Sequence, residues 1–548
     1  MRDPALASNV DARSFDEPEP PLDPRVHDRR WLILGVLCMS LLIIVMDNTI
    51  LNVAIPSMME ELGATNSQIQ WIIDSYVLVF AGLLLTTGSI SDRFGRKGAL
   101  QAGIVLFGLG SVLAANATTA TQLIAFRAFM GIGGALIMPA TLSILTNVFR
   151  DPKERGRAIG VWAGFSGLGI AIGPITGGFL LEHFDWSSVF WVNLPIGALA
   201  LGLGAFLVPT SRDPKQTKLD PVGALLSIVG LAALLFGIIE GQPKGWGSAE
   251  VLTGFAVAIV ALGGFVTWEL HSDHPMLDLS VFRNARFSAA SGTITIVFFG
   301  LMGSLFLMTQ YWQLVHGYSP LDAGVRLLPA AVVMMLAAPQ SARLVERFGT
   351  KRVVLAGLGL IATGMLLTSF IETDTPYWNV MGRFLVMYLG MSLTMAPATE
   401  SVMGALPRDK AGVGSAINDT TRQVGGALGV AIIGSVVSGH WASGIAKTAR
   451  AAGLDEAATA NSEESLARAM SEAGALGDGA GAFIAQAKDT FVDAMTMGMR
   501  VSFVIVLVAA FVAWKFLPNR AGRHRTVGPA ATAAAAEAFE ELSVAAGE

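Results

Sequence analysis

Asp47, Asp74, Arg127, Glu400, Asp419 and Arg422 lie inside stretches that are otherwise apolar enough to cross a bilayer. A charge at that depth costs about 2.5–3.5 kcal/mol on insertion scales, so each is a candidate for function. A carboxyl in hydrocarbon is kept neutral by desolvation and ionised by a neighbouring cation, so proton release and cation binding become linked. The helical rise puts Asp47 about 23 Å along the first apolar run, near its outer edge. Asp74 and Arg127 fall at a similar depth in the second and fourth runs. The three are expected to converge on a central cavity as a proton-coupling and substrate site. The structural alternatives are an ion pair of Asp47 with Arg127, a water-facing Asp74, and an Arg127 that only packs against the first run. Glu400 sits about 7 Å from the inner edge, where it either receives substrate or protons or snorkels to the interface. Asp419 and Arg422 are three residues apart on one helical face, and a structural ion pair is the favoured reading. Asn48, Trp162, Phe165, Phe298, Tyr311 and Trp312 are candidates for lining a cavity, the aromatics by cation–π contact with a lipophilic cation.

These residues need long helices to hold them. The chain is 53% hydrophobic and only 14% charged, against roughly 25% charged for soluble proteins. Apolar runs recur over 31–54, 70–90, 98–116, 121–148, 157–181, 188–208, 220–240, 249–270, 287–312, 322–342, 353–371, 377–405, 411–438 and 496–517. This predicts an all-α polytopic membrane protein with about fourteen spans. Basic residues alternate with them. One side carries Arg93, Arg96, Lys97, Arg150, Lys153, Arg155, Arg157, Arg212, Lys215, Lys218, Arg283, Arg286, Arg343, Arg347, Lys351, Arg352, Arg408 and Lys410. Among the short loops of the other side, Lys244 is the exception. Both termini are therefore expected in the cytoplasm. Residues 1–30 read as a disordered cytoplasmic tail, 518–548 as a cytoplasmic tail with no fold signal, and 439–495 as an external loop that is either a short surface helix or mostly disordered.

An internal repeat sets the architecture. A basic turn with Gly88, Asp92, Arg93, Gly95, Arg96 and Lys97 returns as Glu346, Arg347, Gly349 and Lys351. Pro139, Ala140 and Thr141 return as Pro397, Ala398 and Thr399, with Arg127 and Arg383 upstream. Residues 31–208 and 287–517 are thus two six-helix halves, joined by a linker of two extra spans within 209–286. The turns read as an inner gate or as topology anchors, with Asp92 capping the next helix and pairing with an arginine. Gly169, Gly173, Pro174, Gly177 and Gly178 permit close packing and a bend, as a hinge or seal between halves.

Other chemistry is excluded. No GxxxxGK[ST] loop or HExxH occurs, and the seven histidines fall in loops, tails or span ends. No cofactor, metal or nucleic-acid partner is expected. Cys38 is alone, so no disulfide framework exists.

The turn at 88–97 resembles the signature between spans two and three of the major facilitator superfamily. Residues 46–56 are similar to the first-span signature of its fourteen-span drug:proton antiporters, the QacA and EmrB type. Arg127 with Gly131 and Gly134, the glycine series 167–178 and the segment 185–197 match further motifs of that family. The resemblance implies a major facilitator fold and no enzyme activity. It implies Asp47 in proton coupling, Arg127 in support, Asp74 in favour of cationic cargo, and Asp92 and Arg93 stabilising a conformer. The expectation is proton-coupled efflux of amphipathic drugs from a bacterial cell by a monomer. Export of an endogenous lipid, siderophore or antibiotic is the rival, and a non-transporting scaffold or enzyme the remote one.

Overall fold

A computed structural model describes residues 23–517 except 63, 65, 212–219, 273, 274, 276, 278 and 407–409. The tails 1–22 and 518–548, Arg212, Lys215, Lys218 and Arg408 lie outside the described residues. Apolar backbone in a bilayer must satisfy its hydrogen bonds internally, so the apolar runs become helices. Among the described residues, 14 helices are long and apolar enough to cross a membrane.

The first half comprises α1 (Pro24–Leu62), α2 (Asn66–Phe94), α3 (Arg96–Ala115), α4 (Ala120–Val148), α5 (Pro152–His183), the single turn α6 (Ser188–Trp191) and α7 (Asn193–Leu207). The linker is α8 (Pro221–Lys244) and α9 (Ala249–His271). The second half runs α10 (Ala285–Gln310), α11 (Pro320–Arg326), α12 (Leu328–Phe348), α13 (Thr350–Thr368), α14 (Tyr377–Met403) and α15 (Ala411–Ala452). Short α16 (Glu456–Glu464) and α17 (Leu466–Glu472) then lead to α18 (Ala480–Phe516). Helix starts follow their capping residues. Thr119 caps α4, Asp151 with Pro152 starts α5, and Asp220 with Pro221 starts α8.

Each half has its own apolar core. A third cluster joins Leu85 of α2, Leu231 of α8, Phe265 of α9, Phe287 of α10, Val402 of α14 and Ile417 of α15. The linker is thereby packed into both halves at the end bearing the basic turns, called here the basic face. Its α8 lies against α2, where a Cβ on Gly82 would stand 3.3 Å from the Ile228 carbonyl oxygen. At the opposite end, Trp246 Nε1 donates to Ser435 Oγ of α15 at 3.0 Å.

Two expectations are corrected. Residues 24–30 are helical rather than disordered, because α1 continues past the bilayer edge and Arg30 pairs with Glu154 of α5 at 2.9 Å. Segment 439–495 is neither a single short surface helix nor mostly disordered. Helices α15 and α18 extend into it, and α16 and α17 close over them. Trp441, Ile445, Phe483, Ala487 and Phe491 form its apolar interior, and Trp441 Nε1 donates to the Ser462 carbonyl at 3.2 Å. Both described ends of the chain lie at the basic face: Arg30 meets the start of α5, and Lys351 stands 6.0 Å from the Trp514 ring.

Candidate functional site

Inside the first half, four transmembrane helices besides α1 surround one carboxylate. Asp47 of α1 is 1% exposed and Arg127 of α4 is 0% exposed. Arg127 Nη1 donates to Asp47 Oδ2 at 2.5 Å, and its Nε donates to the Ile72 carbonyl of α2 at 3.2 Å. The guanidinium lies 4.5 Å from the centre of the Tyr76 ring. Asn193, the first residue of α7, donates through Nδ2 to Asp47 Oδ1 at 2.9 Å and to Ser111 Oγ of α3 at 3.1 Å. Arg127 Nη2 and Asn193 Oδ1 have no hydrogen-bond partner. A buried pair held this way resists loss of either member, since the survivor would remain charged in an apolar bundle.

The expected convergence of Asp47, Asp74 and Arg127 on a cavity between the halves does not occur. Asp47 and Arg127 meet each other within the first half. Asp74 belongs to the face of α2 that carries Trp71, Leu78 and Gly82, all of which adjoin α8. It is within electrostatic range of Glu240 on α8, which itself pairs with Lys244 at 3.4 Å. Equal depth did not mean equal direction.

The seam between halves has its own charge pair. Arg422 of α15 is 4.6 Å from the Trp162 ring of α5 and 5.3 Å from the Phe298 ring of α10. Phe298 touches all three apolar clusters. Arg422 Nη1 stands 4.0 Å from Asp419 Oδ1, a loose contact for two residues only 4% and 1% exposed. Arg422 Nη2 donates to Thr399 Oγ1 at 3.4 Å, while Trp162 Nε1 donates to Thr141 Oγ1 at 3.3 Å. Thr141 and Thr399 are repeat partners, so Trp162 and Arg422 meet across the pseudo-symmetry. The structure thus places the Asp419 and Arg422 pair at the meeting point of the halves, although spacing alone favoured a merely structural role.

Three contacts lock the basic face. Asp92, 4% exposed, accepts from the backbone N–H of Gly412 at 2.8 Å and of Val413 at 3.2 Å, and from Arg96 Nε at 2.9 Å. It therefore caps α15 of the other half, not the next helix as expected; α3 starts at Gly95 with no side-chain cap. Gly88 makes this possible, because a Cβ there would stand 2.7 Å from the Gly412 carbonyl oxygen. Gly95 and Gly349 turn with φ of 116° and 85°, so the repeat keeps its glycine geometry. The second turn is weaker: Glu346 stands 3.8 Å from Lys153 and from Arg157, in partly exposed positions. Arg93 and Arg347 rest over Phe94 and Phe348, and Lys97 Nζ donates to the Ala205 carbonyl at 2.7 Å.

The third contact uses Glu400. Arg155 of α5 reaches it with Nε at 3.0 Å and Nη2 at 2.6 Å. Glu400 therefore bridges the halves through an ion pair rather than snorkelling to the interface. The pair is 12% and 18% exposed. Arg155→Ala should widen the basic face, because it leaves the mostly buried Glu400 carboxylate without charge-assisted bonds worth about 1.5–3 kcal/mol each. The exchanged pair Arg155→Glu with Glu400→Arg should restore closure, as read by crosslinking across the seam.

Helix α5 presents two glycine faces. Gly169, Gly173 and Gly177 lie against Val45, Thr49 and Ile50 of α1, while Gly178 meets Leu321 of α11 and Pro174 adjoins Gly324. Tyr311 and Trp312 do not line the seam. They occupy a π-helical turn within the second core, where Tyr311 Oη donates to the Glu372 carbonyl at 2.9 Å. Phe165 packs against the first core, and Asn48 donates to the Ile44 carbonyl of its own helix at 3.0 Å. Arg383 leaves the buried role of Arg127 unrepeated and donates to the Leu367 carbonyl at 2.9 Å.

The description "Major Facilitator Superfamily" belongs to the family profile that matches residues 37–430. The chain belongs to the major facilitator superfamily. It is 35% identical to the multidrug efflux pump LfrA of Mycolicibacterium smegmatis over 83% of this chain and 90% of that one. It is 31% identical to the tetracenomycin C resistance and export protein of Streptomyces glaucescens, over 93% and 96%. It is 33% identical to the methyl viologen resistance protein SmvA of Salmonella typhimurium, over 89% and 98%. Among solved structures, the human organic anion transporter MFSD10 superposes with a TM-score of 0.59 at 15% identity, covering 90% of this chain and all of that one. As a major facilitator protein the chain is a multi-pass membrane transporter and not an enzyme.

Sequence reasoning missed Asn193, Ser111 and the bridging role of Arg155. Asn193 carried a signal, a lone amide opening an apolar span within the family segment 185–197. Arg155 gives no such signal, since its sequence position marks only a basic loop end.

Proposed function

We propose that this major facilitator protein exports amphipathic, cationic drugs or biocides in exchange for protons, by alternating access. The buried pair of Asp47 and Arg127 carries this reading. A carboxylate whose counter-ion sits on another helix changes helix packing when it takes up a proton. The names of the relatives above supply the cargo class. Cargo would load at the seam, where its positive charge competes with Arg422 for Asp419 and its apolar body lies against Trp162 and Phe298. The basic face is cytoplasmic in this reading, with both termini inside a bacterial cell membrane. The electrical gradient contributes about 2.3 kcal/mol per charge per 100 mV.

The test is methyl viologen transport in proteoliposomes under an imposed pH gradient. Wild-type protein should release protons on cargo addition, and Asp47→Asn should lower that release at least tenfold. Undiminished exchange by Asp47→Asn removes the carboxylate from the mechanism. A second reading, export of an antibiotic made by the producing cell, is favoured by the near full-length match to the tetracenomycin C exporter. It predicts that tetracenomycin C drives proton release as well as methyl viologen does.

A further inference from the structure

Helices α3 and α7 lie on the bilayer side of the first half, with Val105, Leu109, Leu199 and Leu203 exposed. Between them is a cleft of about 270 Å³, walled by Ile43, Gly108, Leu109, Ile137, Gly197 and Leu201. The glycines keep it open. A Cβ on Gly108 would meet nothing within 4 Å, and one on Gly197 would first meet Ile104 Cγ2 at 3.7 Å. Asn193 also lines this cleft. It is 1% exposed, and its Oδ1 has no donor. The Asp47 carboxylate needs a donor, so it fixes the amide with Nδ2 inward. The acceptor is thereby left over, and the carboxylate polarises it toward a cationic donor.

We propose that the cleft between α3 and α7 binds a membrane-dissolved alkyl ammonium that keeps N–H groups, its tail in the cleft and its head donating to Asn193 Oδ1. The volume is at the small end for ligand pockets and suits one alkyl chain, not a polycyclic drug. The bound head lies one hydrogen-bonded residue from Asp47, so occupancy bears on the same carboxylate that a proton would neutralise. The proposal deepens the export reading and rests on it only for calling the occupant cargo. Quaternary ammonium ions, which lack N–H groups, are excluded from this cleft and must load elsewhere.

The test uses full-length protein in nanodiscs and decylamine carrying a terminal diazirine, with labelled peptides mapped by mass spectrometry. Labelling is expected in 104–112 and 194–201. Gly108→Leu, which fills the cleft, should reduce it at least tenfold, and Leu201→Trp should do the same from the other wall. Unlabelled decylamine should compete at least tenfold better than decyltrimethylammonium, whose chain and charge match. Equal competition, or labelling indifferent to both filling variants, overturns the proposal and makes the cleft a groove for ordinary acyl chains. The labelling readout needs no gradient, so it stands even where methyl viologen exchange fails and the export reading falls.

Discussion

Asp47→Leu is expected to cost about 3–5 kcal/mol of stability, because Arg127 then remains charged among apolar helices. Arg127→Leu should cost less. A stranded carboxyl can escape by taking up a proton, whereas a guanidinium cannot lose one. The double variant should recover most of the loss, because the cavity is then filled by apolar groups and no charge is left over. Export should stay abolished in all three. The asymmetry adds to geometry already described: Arg127 is held on one side by Asp47 and elsewhere by the Ile72 carbonyl, the Tyr76 ring and the Met130 sulfur. Thermal unfolding in detergent, run as a double-mutant cycle beside methyl viologen exchange, reads both effects. A double-variant loss equal to the sum of the two single losses would mean that the pair has no coupling energy. Arg127→Lys is a useful fourth point. It keeps the charge but lacks the fork that reaches Asp47 and Ile72 together, so stability should hold better than exchange.

The fold was largely legible because a bilayer leaves the backbone little choice. Runs of apolar residues had to become helices, and the repeated turn at Gly95 and Gly349 marked the two halves. Helix ends were less legible. Beyond the lipid, α1, α15 and α18 continue with polar residues, and hydropathy sees only their buried middle. The ion pair of Asp47 with Arg127 could be weighed from depth alone. Its partners could not, because depth along a span says nothing of rotation about its axis. Asp74 turned toward α8, and Asn193 turned inward from a helix whose outer face meets lipid. Spacing puts Asp419 and Arg422 on one helical face, but their position opposite Trp162 depends on how two distant halves dock. Capping also crossed that boundary: Asp92 precedes α3 in the chain yet serves α15.

That crossing yields the second large effect. Asp92→Ala removes two backbone hydrogen bonds to α15 and the contact with Arg96, and each charge-assisted bond is worth about 1.5–3 kcal/mol. A loss of that size moves a two-state equilibrium by more than tenfold. The basic face should therefore open. The chain suits the measurement, since its single cysteine, Cys38, is buried and can be replaced by alanine. Spin labels at Phe94→Cys and Phe348→Cys, both exposed on matching turns, report the separation of the halves. Wild-type protein should give a short, narrow distance, and Asp92→Ala a longer and broader one. Gly88→Val attacks the same contact by volume rather than charge, because its side chain would press on the Gly412 carbonyl. If both variants open the face, charge and close packing act on one lock. If Gly88→Val opens it and Asp92→Ala does not, the glycine contact alone holds the halves and Asp92 is only the cap of α15. A short distance retained by both would place the lock elsewhere, with Arg155 and Glu400 the pair to break next.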